Sequence, residues 1–485
     1  MTAAQALPTS ATAIARAVAV GDLSAREVAV AALDRIATED SRIGAFTDVT
    51  AARALAEAEA VDRARAAGEP LGPLAGVPFA VKNLFDLAGL PTRAGSRINR
   101  DHPPAATDAA LVARMTRAGA VTLGGLNMGE YAYDFTGENA HDGPSRNPHD
   151  PTRMSGGSSG GCGAAIAAGF APLALGSDTN GSIRVPSALC GVFGLKPTYG
   201  RLTRAGAFPF CDSLDHLGPF ARSAGDLALC YDALQAADGL DAAGTDAAWA
   251  GRPPEPTLPE LAKGVEGLRV AVAGGYFRQG ATAQALDAVD RVARALSAGR
   301  EVEYPDAQRA RAAAFLITNA ESAAFHLDRL RSRAAEFDPD TRDRFLAGAM
   351  LPAVWLAKAQ RFRRWHHDRA LELFAGVDLI LAPCTPCAAP RLGQKTMMLN
   401  GAEVAVRPNL GLYTQPVSFI GLPVAAVPVW GDADAPNPLP VGVQIIAAPW
   451  REDLCLRAAA AVEAMGVARA PMASLPAARP DALTP

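Results

Sequence analysis

The chain has 485 residues, 49% hydrophobic and 20% charged, with a net charge of -4, so it can bury a large core but offers no basic field for nucleic acid or an anionic membrane. Its seven cysteines are odd in number and irregularly spaced, which excludes a disulfide framework. The opening MTAAQALPTSATAIARAVAV has no basic segment before a long apolar one, and no run of about 18 apolar residues occurs, so neither a signal peptide nor a membrane span is expected and the location expected is cytoplasmic.

In chain order, Ser24-Ala-Arg-Glu27 fits a capping box, with Val28, Ala32, Leu33 and Ile36 following at helical spacing. A second helix is predicted from Ala51 to Ala67. LAGVPFAVKNLFDLAG is a short apolar run between glycines, which predicts a buried strand near Phe79 to Val81. A helix over Asp108 to Ala118 and a strand over Ala120 to Gly124 follow, the alternation of an α/β sheet. The prolines of SRNPHDPTRM favour loop.

Arg153 to Gly169, RMSGGSSGGCGAAIAAG, turns from a glycine-serine nest into a predicted helix ending near Gly169. FAPLALGSD is a strand ending near Ser177, TNGS a tight turn, and a short helix is predicted from Ser182 onward. Residues 241–260, rich in Ala, Gly and Pro, read as a surface excursion. LRVAVAGG is another buried strand, helical patterns dominate 281–375, and VDLILAP, LPVAAVPV and LPVGVQIIA are later strands. The proline-rich tail over 470–485 is expected to be disordered.

Several motifs carry less than they promise. GGSSG matches G-x-S-x-G, but that nucleophile elbow needs a strand directly before the serine, and no supporting context surrounds His216, His326, His366 or His367. No Gly-Lys-Ser/Thr follows the glycines, which excludes a P-loop. Cys384-Thr-Pro-Cys387 follows a strand rather than opening a helix, unlike a thioredoxin-type pair. His366 and His367 point about 100° apart on a helix and share no metal well.

GSDTNGSIRVP is different. A strand-to-helix turn can aim the backbone N–H groups of Thr179, Asn180 and Gly181 into one concavity beside Ser182, a candidate oxyanion hole; Ser182 could equally cap the helix. With no histidine at hand, the base for a serine nucleophile would be a lysine neutralised by burial. Lysine is rare here, limited to Lys82, Lys196, Lys263, Lys358 and Lys395. Lys82, in the apolar VPFAVKNLF, fits such a role; Lys196 in GLKPTYGR is its rival. A hydroxyl from the glycine-rich nest can bridge lysine and serine, because glycines let the backbone approach closely.

GGSSGG, LGSDTNGSIRVPSALCGVFGLKPTYGR and PLAGVPFAVKN resemble the amidase signature family of Ser–cisSer–Lys hydrolases. The resemblance continues in order through GLPTRAGS, SLDHLGPFARS, VDLILAPCTP and GLPVAAVPV to PVGVQIIA. It implies an α/β/α sandwich around a large, mostly parallel mixed sheet. Although length alone argues for two domains, it implies a single domain over 1–469: N-terminal helices 10–67, a catalytic core 70–230, the excursion 241–260 and a helical and C-terminal strand part 268–469. Carried over, Lys82 is the base, Ser158 the relay in a cis peptide, Ser182 the nucleophile and Ser159 a supporting neighbour. Two departures stand out: Asn180-Gly181 where many relatives have Gly-Gly, and Asn83 where an aspartate often follows the lysine.

The stretch MGEYAYDFTGENAHDGPSRNPHDPTRMSGGSSGG is more like the branch hydrolysing 1-carboxybiuret in s-triazine breakdown. This implies a small carboxylated urea as substrate, release of ammonia, and Tyr131, Asp134 and Asn139 as candidate pocket residues. No cofactor or metal is expected. A homodimer is expected, and a further partner implied is a small helical accessory subunit. The alternatives are the glutaminase-type subunit of a tRNA-dependent amidotransferase, a general amidase, and a silent scaffold on the same fold.

Overall fold

Apolar runs flanked by glycine and proline become strands buried on both faces, and the longer alternating segments become helices that cover them. The computed structural model describes residues 7–235, 246, 248–431 and 438–475. Its strands are β1 (Phe46–Val49), β2 (Pro78–Lys82), β3 (Val121–Leu126), β4 (Arg146–Asn147), β5 (Asp150–Met154), β6 (Leu173–Asp178), β7 (Phe193–Lys196), β8 (His216–Ala221), β9 (Val270–Ala273), β10 (Arg300–Val302), β11 (Leu379–Pro383), β12 (Thr396–Leu399), β13 (Ala402–Ala405), β14 (Val424–Trp430) and β15 (Pro440–Ala447). β4 with β5 and β12 with β13 form two small hairpins. The rest form an 11-stranded sheet in the order β1-β3-β2-β6-β8-β7-β14-β15-β11-β9-β10.

The sheet is mixed, as expected for an α/β/α sandwich. Its parallel pairings are confined to two blocks, β3-β2-β6 and β11-β9-β10. From β6 through β8, β7, β14 and β15 to β11 the neighbours run antiparallel, so the parallel share is smaller than the expectation. Antiparallel neighbours need no crossover helix, and strand runs such as LPVAAVPV carry no mark of their partner's direction.

Helices cover both faces. Ala426 of β14 clusters with Ala188 of the helix Arg184–Cys190, whereas the adjacent Ala425 lies against Cys455 of the helix Glu452–Ala464. Successive strand residues point to opposite faces, so these helices lie on opposite sides. The helix Gly160–Ala168, GGCGAAIAA, is buried at every position. Its glycines are poor helix formers; it persists because its small side chains let the sheet and the helix Arg184–Cys190 close around it.

Most predicted elements are present, with shifted ends. Ser24 and Glu27 make both bonds of the capping box at the helix Ala25–Glu39. The predicted helices appear as Ala51–Ala66 and Ala110–Arg117, and the strand predicted over Ala120 to Gly124 as β3. Three expectations are corrected. The segment 150–154 is a strand rather than loop, because it folds back on 146–147 and Arg153 Nη1 bonds Ala389 O at 2.7 Å. The helical stretch 281–375 is interrupted by β10, which pairs with β9. The tail is docked at its start, Ala473 N donating to Ala167 O at 2.8 Å, while 476–485 lie outside the described residues. Of the excursion, 241–245 and 247 also lie outside them, and 251–256 are exposed. All seven cysteines are free thiols.

Candidate active site

β2 and β6 are parallel neighbours, and Lys82 and Asp178 are their last residues. Loops at the carboxyl ends of such strands are where ligands bind in α/β sheets. PFAVK is buried throughout, which carries Lys82 into the interior with no exposed surface. Its Nζ donates to Ser158 Oγ at 2.7 Å and to Ser177 Oγ at 2.9 Å. Burial, against the pull of surrounding acidic groups, lowers the amine to about 8. The departure at Asn83 keeps a carboxylate away from it: Asn83 Nδ2 donates to Thr47 Oγ1 at 3.0 Å and its Oδ1 accepts from Gly95 N at 2.9 Å.

The nest delivers Ser158 to this amine. The Gly157–Ser158 peptide is cis. A Cβ on Gly157 would lie 2.3 Å from Asp134 Oδ2, so only glycine lets the loop press this close. Ser159 Oγ donates to Ser177 O at 3.1 Å, tying the nest to β6. The first serine of the pair thus meets the lysine and the second meets the neighbouring strand.

After β6 the chain turns sharply through 179–183, and the helix begins at Arg184, two residues later than expected, so Ser182 is not its cap. The turn is pinned from every side. Thr179 Oγ1 donates to Asp215 Oδ1 at 2.6 Å, Thr414 Oγ1 donates to Asn180 O at 2.6 Å, and Asn180 Nδ2 donates to Thr318 Oγ1 at 2.9 Å. Gly181 has φ +142°, and a Cβ there would meet Thr414 Oγ1 at 2.2 Å. The backbone N–H groups of Thr179, Asn180 and Gly181 donate to no protein acceptor among the described residues. Buried unpaired N–H groups are rare, and three in succession are able to receive an anionic oxygen.

Beneath the turn lies a buried ion pair missed in the sequence. Arg184 grips Asp178 through Nε–Oδ2 and Nη2–Oδ1, both 2.9 Å, and neither side chain is exposed. Burial pushes the Asp178 carboxyl up, but the Arg184 charge and hydrogen bonds outweigh it and hold it well below the usual range. Arg184 also donates to Thr414 O (3.1 Å), Gln444 Oε1 (2.6 Å) and Ser418 Oγ. The lone arginine of IRVPSALC was the available signal.

Ser182 lines a cavity of ≈ 280 Å³ together with Tyr133, Asn180, Phe210, Arg344 and Gln415. The space is tight, so a substrate would have to displace part of this lining to reach the serine. No hydrogen bond joins the Ser182 hydroxyl to Ser158 Oγ or to any other group among the described residues. A larger cavity of ≈ 700 Å³, lined by Ser177, Arg204, Phe208 and Asp215, approaches from beyond Phe210 without reaching Ser182.

Of the expected pocket residues, Asp134 lines the Ser182 cavity, but its carboxylate is occupied by Thr136 N (2.9 Å), Thr136 Oγ1 (2.8 Å), Gly137 N (2.6 Å) and Arg407. Tyr131 and Asn139 are not among the residues lining it. The Tyr131 hydroxyl donates to Asn99 Oδ1 at 3.0 Å and its ring packs at a tilt of 42° against His326, 4.0 Å between centroids. Asn139 Nδ2 serves Gly95 O and Met128 O, both at 2.7 Å. The rival lysine, Lys196, is buried and lowered to about 7, but donates to Pro197 O at 3.0 Å and to no serine. His216 Nδ1 lies 2.7 Å from Leu214 O, and burial keeps this ring neutral.

Arg344 was not foreseen, since DTRDRFLAG sets it among other charges. It donates to Tyr133 O at 2.9 Å, its Cζ stands 3.6 Å over the Tyr133 ring, and no carboxylate pairs with it among the described residues. Among the described residues no group of His, Cys, Asp and Glu is arranged to hold a metal, and no helix is long and apolar enough to cross a membrane.

The family described as Amidase matches residues 27–456. AtzE, the 1-carboxybiuret hydrolase subunit of Pseudomonas sp. (strain ADP), is 54% identical over 457 residues, 94% of this chain and 98% of that protein. A glutamyl-tRNA(Gln) amidotransferase subunit from Thermus thermophilus is 40% identical over 476 residues, 92% of this chain and 95% of that one. A solved structure described as a vestigial protein complex that reveals the origins of an s-triazine catabolic enzyme superposes with a TM-score of 0.92 at 53% identity, covering 95% of this chain and 99% of that one.

Proposed function

Because this chain belongs to the amidase signature family, we propose that Lys82, Ser158 and Ser182 are its acyl-transfer machinery and that its substrate is 1-carboxybiuret or a close carboxylated urea. The chain is an amidohydrolase acting on C–N bonds and is similar over nearly its whole length to 1-carboxybiuret hydrolase. The observation that carries the mechanistic reading is the buried Lys82 amine, lowered to about 8 and 2.7 Å from Ser158 Oγ.

In this reading Ser182 Oγ attacks the amide carbonyl carbon. Its proton passes to Ser158 Oγ as the Ser158 proton passes to the neutral Lys82 amine. The carbonyl oxygen takes up negative charge against the N–H groups of Thr179, Asn180 and Gly181, each such donor contributing about 3 kcal/mol in comparable sites. The relay then runs backwards: the proton from Lys82 reaches the leaving nitrogen through Ser158, the C–N bond breaks, and ammonia departs. Water, deprotonated along the same path, cleaves the Ser182 ester and restores the enzyme. Ser159 supports the relay by anchoring the nest to β6. Arg344, a guanidinium with no carboxylate partner at the Ser182 cavity, receives the substrate carboxylate.

The test is a panel of ammonia-release assays with 1-carboxybiuret, biuret, allophanate, glutamine and simple amides. Turnover of the carboxylated ureas is expected; ammonia from glutamine alone overturns the reading. That second outcome is the one favoured by the 40% identity to the amidotransferase relative, where this chain would serve as the glutaminase. The similar solved structure is a protein complex by its own description, and we extend to this chain a cytoplasmic homodimer joined by a small helical accessory subunit.

A further inference from the structure

Three polar atoms around Ser182 are left without partners inside the protein. Asn180 Oδ1, Gln415 Nε2 and the Tyr133 hydroxyl are buried and unpaired, and all three residues line the same cavity. Each residue is more than nine-tenths buried. Their orientations are set from behind. Arg311 Nε donates to Gln415 Oε1 at 2.8 Å, leaving the amide NH₂ free, and Asn180 Nδ2 bonds Thr318 Oγ1 at 2.9 Å, leaving its oxygen free. Arg344 stacks on the Tyr133 ring and holds the phenol in place. Buried polar atoms in native proteins have partners, so each unsatisfied one calls for an explanation.

We infer that Asn180 Oδ1, Gln415 Nε2 and Tyr133 Oη form a polar subsite that reads the second ureido unit of the substrate, beyond the amide attacked by Ser182. The inference rests on the acyl-enzyme reading above and adds how the substrate class is chosen. A ureido unit offers N–H donors and a carbonyl acceptor side by side, which match a free acceptor, a free donor and a hydroxyl able to do either. An alkyl amide of the same length would leave all three unsatisfied on binding, and sites built to hydrogen-bond a polar group reject analogues lacking it strongly. Asn180 thereby acquires a reason: a glycine at this position would supply the backbone N–H but no acceptor.

The test measures how well biuret, or pentanamide, an alkyl amide with as many heavy atoms, protects Ser182 from a fluorophosphonate, read by mass spectrometry. In the wild-type protein, biuret is expected to halve labelling at a concentration at least tenfold lower than pentanamide. Tyr133→Phe keeps the ring and removes only an unpaired hydroxyl; Gln415→Glu keeps the acceptor for Arg311 and replaces the donor. Each is expected to cut the advantage of biuret at least fivefold, the protection being measured against that variant's own unprotected labelling rate. Equal protection by the two compounds in the wild type overturns the inference, as does an undiminished advantage in Tyr133→Phe, the variant that decides if Gln415→Glu fails to fold. No adduct on Ser182 in folded wild-type protein overturns the acyl-enzyme reading and the inference with it. An adduct without a biuret advantage overturns the inference alone.

Discussion

Lys82 Nζ and Ser158 Oγ lie 2.7 Å apart, an amine on the last residue of β2 meeting a hydroxyl presented by a glycine nest. No carboxylate forms an ion pair with that amine among the described residues. Burial therefore dominates its titration and lowers it from 10.5 to about 8.

Activity should follow this titration. Below about 8 the proposed base carries its proton, so kcat/KM is expected to rise about tenfold per pH unit up to that point and then level. Stability moves in the same direction: the folded chain holds fewer protons on Lys82 than the unfolded chain between about 8 and 10.5, so this group's contribution improves as pH rises through that window. Initial rates from about pH 5.5 upward check the first; a profile flat through 8 removes Lys82 as the base.

Ser177 shares the amine with Ser158 at 2.9 Å. Ser177→Ala removes an acceptor that favours the charged amine, so the rising limb is expected to move to lower pH while kcat falls about tenfold through loss of positioning. An unmoved limb would mean that Ser177 only fills space.

Ser182→Ala is expected to abolish turnover, a loss of about 10⁴-fold or more, and to end fluorophosphonate labelling. Ser158→Ala should lose comparable activity. Mass spectrometry of the labelled wild-type protein locates the adduct; an adduct on Ser158 would reverse the proposed roles.

Asp178→Asn leaves the buried Arg184 guanidinium without its counter-charge, and breaking such a pair costs about 3–5 kcal/mol. Urea unfolding at neutral pH should show this as a lower midpoint. In the wild type the pair's contribution is present above the ordinary carboxylate range, where the unfolded Asp is ionised. It is lost only as pH falls through the strongly lowered folded value.

Arg344→Gln should raise KM for a carboxylated urea about 10- to 100-fold, the scale of a lost charge-assisted contact, and lower kcat/KM for neutral biuret by a smaller factor, through loosening of the Tyr133 ring it holds. Steady-state assays on 1-carboxybiuret and biuret separate these; equal losses on both would remove the carboxylate role.

The candidate reacting residues could be picked out because part of their context is local, while the division of roles among the serines came from the family resemblance. Lys82 is marked by the apolar VPFAV before it, Ser158 and Ser159 by surrounding glycines, and Thr179 to Ser182 by a strand-to-turn boundary. Each of these signals sits within a few residues of the chain, where burial, close approach and backbone direction are written. The mixed α/β character of the sheet was legible for the same reason, since strand length and apolar content are local properties.

Strand direction at the sheet centre, the Asp178–Arg184 pair and the cavity wall depended on segments far apart in sequence. Gln415 reaches the cavity from more than 200 residues beyond Ser182, and Arg344 from the helix Pro339–Ala349, whose charges look alike on paper. Tyr131 and Tyr133 sit two residues apart, yet one hydroxyl is spent on Asn99 and the other is left free at the cavity. Nothing local distinguishes them. Which hydroxyl is satisfied depends on what the rest of the chain packs against it, so the sequence determined the candidates for the reacting groups while the lining around Ser182 was decided only by the folded molecule.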